Sequence, residues 1–144
     1  MSQIRDFQHF GKNVTLENGV FFGQPQNISI GSNVFIGKNA QINAGKGGFI
    51  QLSDGCAIGA GSTIITWNLN NIGNKFLERN LSDDLFKDVF IGKGVGLGYG
   101  CIVNAGTSVG EGAEVAAGSV LQGEVLRYEV VGCDVARVLF VRGS

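Results

Sequence analysis

The sequence predicts an all-β chain wound as a single-stranded parallel β-helix, and three observations carry that expectation. From Ile91 to Leu126 the chain repeats every six residues, as IGKGVG LGYGCI VNAGTS VGEGAE VAAGSV LQGEVL. An aliphatic residue opens each unit at Ile91, Leu97, Val103, Val109, Val115 and Leu121. Glycine holds the fourth place at Gly94, Gly100, Gly106, Gly112 and Gly118. No α-helix has an apolar period of six, whereas a short strand followed by a turn of positive φ does. The fifth place takes a small or β-branched residue, Val95, Cys101, Thr107, Ala113, Ser119 and Val125, which reads as an inward corner position. Six-residue repetition of this kind stacks coil on coil, each burying the inner face of its neighbour.

The same period runs through the first half. Phe10, Leu16 and Phe22 open units, with Val14 and Val20 as inward fifth residues. After a two-residue slip Ile30, Ile36 and Ile42 continue, and Leu52, Ile58 and Ile64 follow a break at GKGGFIQ. Here the turn place alternates between Asn13, Asn33, Asn39 and Gly19, Gly55, Gly61. Asparagine is the residue after glycine that best accepts the left-handed conformation, so the geometry survives the exchange. Three units make one triangular coil. The C-terminal run then supplies two coils and the earlier segments about two more, a prism roughly 20 Å tall at sheet spacing. A prism that short leaves open strand edges and a small core, so oligomerisation is expected.

Composition sets further limits. The 144 residues make one domain, 1–144, with 24 Gly against one Pro and 44% hydrophobic residues, which suits regular corners better than disorder. A net charge of −1 gives no electrostatic reason to expect nucleic acid. The opening MSQIRDFQHF has no apolar signal core, and no apolar run approaches the roughly 20 residues of a membrane span. The expected location is cytoplasmic. Cys56 and Cys101 fall at inward fifth places and Cys133 in the tail, and all three read as reduced thiols. Their spacing resembles no ligand set, so no metal is expected.

Between the two repeat blocks the register stops. TWNLNNIGNKFLERNLSDDLFKD leaves the solenoid as an ejected loop of about 66–89, and a tail follows from about 126 to 144. A loop of this length on a rigid solenoid is uncommon without a function. It is polar, with Glu78, Asp83 and Asp84 among its charges and Phe76, Leu81 and Phe86 as apolar anchors.

The strings QNISIGSNVFIGKNAQINA and VFIGKGVGLGYGCIVNAGTSVGEGAEVAAGSV, with the loop ejected after IGAGSTIIT, resemble the hexapeptide-repeat acyltransferases. Within that family the likeness is to short sugar O-acetyltransferases of polysaccharide biosynthesis and to galactoside and maltose acetyltransferases. It covers roughly Phe10 to Arg142, including the tail EVLRYEVVGCDVARVLFVR. The resemblance implies a left-handed helix, a hand that the general crossover rule would not have chosen. It also implies a homotrimer with acetyl-CoA in the groove between adjacent prisms. Carried over residue by residue, the cofactor groove falls on Gly98, Ala117, Gly118 and Ser119, with Arg137 as a cation for a CoA phosphate.

In that family a histidine follows a Thr or Ser where the repeat breaks, and takes the proton of the acceptor hydroxyl. Here the place reads Thr66-Trp67-Asn68-Leu69. An indole N–H donates only and cannot accept a proton. Trp67 and Asn68 are therefore expected to line the substrate side of the groove. The one histidine, His9, lies in the first coil. A substitute base would have to be a loop carboxylate, Asp83, Asp84 or Glu78, with its pKa raised by burial. Two functions stay open: an acetyl-CoA-dependent O-acetyltransferase acting on a sugar or a nucleotide-sugar or polysaccharide precursor, with a degenerate site, or an inactive trimeric binding or structural protein on the same scaffold.

Overall fold

A six-residue unit that ends in a left-handed turn bends the chain by about a third of a circle. In the computed structural model of the chain, which describes residues 4–45, 47–67 and 86–132, repetition of that unit produces a left-handed parallel β-helix. Among the described residues, seventeen short strands in chain order make three parallel sheets. Sheet 1 contains β1 (His9–Phe10), β4 (Ile28–Ile30), β7 (Ile50–Leu52), β10 (Val89–Ile91), β13 (Ser108–Val109) and β16 (Glu124–Val125). Sheet 2 contains β2 (Thr15–Leu16), β5 (Phe35–Ile36), β8 (Ala57–Ile58), β11 (Gly96–Leu97), β14 (Glu114–Val115) and β17 (Val130–Val131). Sheet 3 contains β3 (Phe21–Gly23), β6 (Gln41–Asn43), β9 (Thr63–Ile65), β12 (Ile102–Val103) and β15 (Val120–Leu121).

The solenoid is taller than its repeats predict. Five complete coils and two strands of a sixth are present where four were expected, because Phe10, Leu16 and Phe22 make a coil of their own and β16 and β17 stack beyond Leu121. Five steps of about 4.8 Å give a height near 24 Å.

The unit openers form the core. Ile30, Ile36, Ile42, Leu52, Ile58, Ile64 and Ile91 are all fully buried. The fifth-place residues Cys101, Thr107, Ala113 and Ser119 are buried as well, small side chains turned inward at successive corners. Where these are polar, the hydroxyl joins backbone. Ser62 Oγ donates to the Gly98 carbonyl at 3.1 Å and accepts the Cys101 N–H at 3.2 Å. Thr107 Oγ1 donates to the Leu121 carbonyl at 3.3 Å, stitching one coil to the next. The N-terminal end is closed by Phe7, which packs edge-on against Phe10 and Phe22 with centroids 5.2 and 4.9 Å apart.

Val125 departs from its expected place. It pairs with Val109 and opens a unit rather than filling a fifth place. The corner after Leu121 is two residues short, and Gly123 at φ 92° permits the tighter turn.

One regularity emerges only when the coils are stacked. The corners between sheets 1 and 2 and between sheets 2 and 3 keep the spacing of six throughout the openers. Each departure falls at the third corner, between sheets 3 and 1: Phe22 to Ile30, Ile42 to Leu52, Ile64 to Ile91 and Leu121 to Val125. Among the described residues, the fold thus confines its irregular coil spacing to a single edge.

Candidate functional site

That third corner carries the neck of the ejected segment. The chain leaves sheet 3 after Ile65 and returns to sheet 1 at Val89. Trp67 and Phe86 form an antiparallel bridge, and the Lys87 N–H donates to the Thr66 carbonyl at 2.9 Å. Thr66 is fully buried, its hydroxyl donating to the Ala44 carbonyl of the coil below. The glycine-rich corner of the preceding coil makes room for these side chains. A Cβ at Gly48 would lie 2.2 Å from Thr66 Cβ, and one at Gly45 would lie 3.2 Å from both the Trp67 and the Phe86 ring. The Gly45 N–H donates to Asn43 Oδ1 at 3.0 Å, and Asp88 Oδ1 accepts the Phe49 N–H at 3.0 Å.

The second corner, between sheets 2 and 3, has a different character. Successive coils touch there through bare backbone: a Cβ at Gly59 would lie 2.5 Å from the Gly98 carbonyl group, and one at Gly98 2.5 Å from the Ala117 nitrogen. Just beyond the tip Gly61, Gly100 and Gly118 stand at the same place on three coils, each at positive φ. A Cβ on any of them would meet nothing within 4 Å. They form an open ledge on which a ligand can approach the main chain closely. The residues at the tip, the third place of each unit, are Asn18, Lys38, Ala60, Tyr99 and Ala117, with the Gly100 N–H donating to the Ala60 carbonyl and the Gly118 N–H to the Tyr99 carbonyl at 2.9 and 2.8 Å. Tyr99 is the one aromatic side chain of this series and is 73% exposed.

The expected cofactor residues Gly98, Ala117 and Gly118 therefore do share an edge. Ser119 belongs to it only through its backbone, since its hydroxyl turns inward to the Ala116 carbonyl at 2.6 Å. Tyr99 and Lys38 were missed by sequence reasoning, although the period assigns both to the third place and hence to the tip. Trp67 lies at the other edge of sheet 3, so a single chain does not bring it together with the glycine ledge. From Ser62 to Thr66 about 13 Å of extended strand separate the two. Asn68, Glu78, Asp83, Asp84, Cys133 and Arg137 lie outside the described residues.

Titratable groups add little chemistry. His9 is exposed on the outer face of sheet 1, in register with Ser29. Burial pushes the Cys56 thiol up to about 12, with the Asp54 carboxylate adding to the rise and a backbone hydrogen bond opposing it, so it is no nucleophile at neutral pH. Among the described residues no group of His, Cys, Asp and Glu is placed to hold a metal ion, and no helix is long and apolar enough to cross a membrane.

A family model described as the hexapeptide repeat of succinyl-transferase matches residues 27–65 and 88–122. Among solved structures, a maltose O-acetyltransferase from Clostridium difficile is 21% identical, with a TM-score of 0.68 over 84% of this chain and 62% of that one. A hexapeptide-repeat acetyltransferase from Vibrio cholerae, complexed with acetyl-coenzyme A, is 21% identical with a TM-score of 0.67, covering 95% of this chain and 72% of that one. A mutant of the N-acyltransferase AntD from Bacillus cereus, bound to dTDP-4-amino-4,6-dideoxyglucose and coenzyme A, is 19% identical with a TM-score of 0.70, covering 92% and 82%. At these identities the matches show a shared fold. The chain spans less than two thirds of the length of the maltose enzyme it matches.

Proposed function

The chain belongs to the hexapeptide-repeat family of acyl-CoA-dependent transferases, and from that premise we propose that it binds acetyl-CoA along the second corner and transfers acetyl to a sugar hydroxyl. The observation that carries this reading is the glycine ledge of Gly61, Gly100 and Gly118, open on its outer side and flanked by the exposed Tyr99 ring. Bare backbone suits a pantetheine arm, which offers amides for main-chain hydrogen bonds, and an exposed aromatic ring suits a purine. Similar proteins with this fold have been solved with acetyl-coenzyme A or coenzyme A bound.

The proposed assembly is a homotrimer in which neighbouring prisms meet across sheets 2 and 3. Sheet 3 turns Phe21, Gln41, Thr63, Ile102 and Val120 outward, a column more apolar than that of sheet 1 with His9, Ser29, Gln51, Phe90, Ser108 and Glu124. In such a trimer the third corner of one chain can approach the second corner of the next, which unites Trp67 with the ledge. Transfer requires the acceptor oxygen to attack the thioester carbonyl, the CoA thiolate to leave and the hydroxyl proton to reach a base. Trp67 cannot take it. In this reading a loop carboxylate does, or transfer proceeds without a general base at a rate lower by about 10²–10⁴. Trp67 at this position favours a second reading, in which the groove holds its ligand without turnover.

Crystals soaked with acetyl-CoA test the binding step directly. Adenine and pantetheine density beside Tyr99 and Gly118 is the expected result, and an empty second corner at saturating ligand would refute the reading. Loss of acetyl-CoA absorbance with a panel of sugars then separates turnover from binding alone.

A further inference from the structure

The outer face of sheet 1 carries a depression of about 230 Å³, away from the second corner, lined by His9, Ser29, Gln51, Ser53, Asp54 and Lys93. Four successive coils contribute to it. His9, Ser29, Gln51 and Phe90 are consecutive partners in the outward column of β1, β4, β7 and β10, each one sheet spacing from the next. Its floor is Gly31. The Asp54 carboxylate folds over that residue, at a place where a Gly31 Cβ would lie 2.3 Å from Oδ1, and is held there by the Ser32 N–H at 2.8 Å. Asp54 is thus set in one orientation with its second oxygen available.

The chemistry of the lining identifies the ligand class. The lining holds one carboxylate and one ammonium, so neither an anion nor a cation is favoured by net charge. Donors and acceptors are interleaved: the Lys93 ammonium and two hydroxyls beside the Asp54 carboxylate and the Gln51 amide oxygen. Polyols need that mixture, because each hydroxyl both gives and takes a hydrogen bond. Phe90 does not line the depression but pairs with Gln51, which does; it is 42% exposed, with the Phe49 ring 6.4 Å away at a tilt of 54°, so an exposed aromatic face adjoins the polar lining. A pyranose has an apolar C–H face and a polar hydroxyl edge. The volume, near that of seven or eight waters at about 30 Å³ each, suits one such ring. We infer that this depression is a saccharide-binding site for a single neutral sugar unit, distinct from the proposed acyl-transfer groove and independent of whether that groove turns over.

The test is an NMR titration of the full chain with methyl β-glucoside, methyl β-galactoside and methyl N-acetyl-β-glucosaminide, with inorganic phosphate as comparator. At least one glycoside should shift the amides of Ser29, Gln51, Asp54 and Lys93 in a saturable way, and phosphate should not. Gln51→Ala, at an exposed position, should keep the parent thermal midpoint and weaken binding about fivefold or more. Asp54→Asn retains the acceptor for the Ser32 N–H and should also weaken it. No saturable shift with any glycoside, a response to phosphate alone, or full affinity in both variants would overturn the assignment.

Discussion

Trp67 meets Phe86 across the neck of the ejected segment, and both rings rest against the bare Gly45 of the coil below. This contact explains how a solenoid can release 23 residues, from Thr66 to Asp88, without losing register. Below the neck Leu52 pairs with Ile91, and beside it Ile64 pairs with Val103, as though the excursion were absent.

The neck depends on one buried hydroxyl. Thr66→Val keeps the shape but leaves the Ala44 carbonyl without its donor, which should cost about 1–3 kcal/mol. Gly48→Ala sets a Cβ against Thr66 and should cost a similar amount through overpacking. Urea unfolding measures both, and unchanged midpoints would mean that the neck does not support the fold.

Ala113 occupies an inward corner column and is fully buried. Ala113→Leu should destabilise by about 1–3 kcal/mol, because stacked coils cannot separate locally to admit three more carbons. Calorimetry showing an unshifted transition would place this column on the wrong face.

Cys56 makes stability fall at alkaline pH. Its folded pKa of about 12 exceeds the ordinary 9.0, so between those values the unfolded thiol gives up a proton that the folded one keeps. The unfolded state then binds fewer protons, and unfolding free energy should decline by about 1.4 kcal/mol for each pH unit across that window, with no contribution from this group below it. Denaturation midpoints from pH 8 to 11 should slope downward in the parent and less steeply in Cys56→Ala. Parallel slopes would show that the thiol is not shielded.

Trp67→His restores a proton acceptor at the corner where the chain leaves the solenoid. If the site lacks only its base, this variant should gain acetyl-CoA hydrolysis or acetyl transfer over the parent. An active parent that loses activity on this change would make Trp67 part of a working mechanism. His9→Ala, on sheet 1, should leave any acetyl transfer within a few-fold of the parent.

The repeat was legible because its physical causes are local. A left-handed turn needs Gly or Asn, and an inward strand position needs an aliphatic side chain, so the positive φ angles at Asn13, Asn33, Asn39, Gly94 and Gly100 could be placed from residue type alone. Tyr128, a bulky residue at φ 62°, could not: its ring lies over Gly112, in the space a side chain there would fill, and that contact joins residues from different coils.

By itself, then, the sequence determined the β-helix, its inward and outward faces and the break after Ile64. Only the tertiary structure decided that Val125 opens a coil, that a sixth coil begins, that every irregular spacing stacks on the third corner, and that Trp67 and the glycine ledge stand on opposite edges of sheet 3. These are matters of register between segments sixteen or more residues apart. Which coil lies above which is set by side-chain burial summed over the whole stack, and no window of the sequence contains that sum.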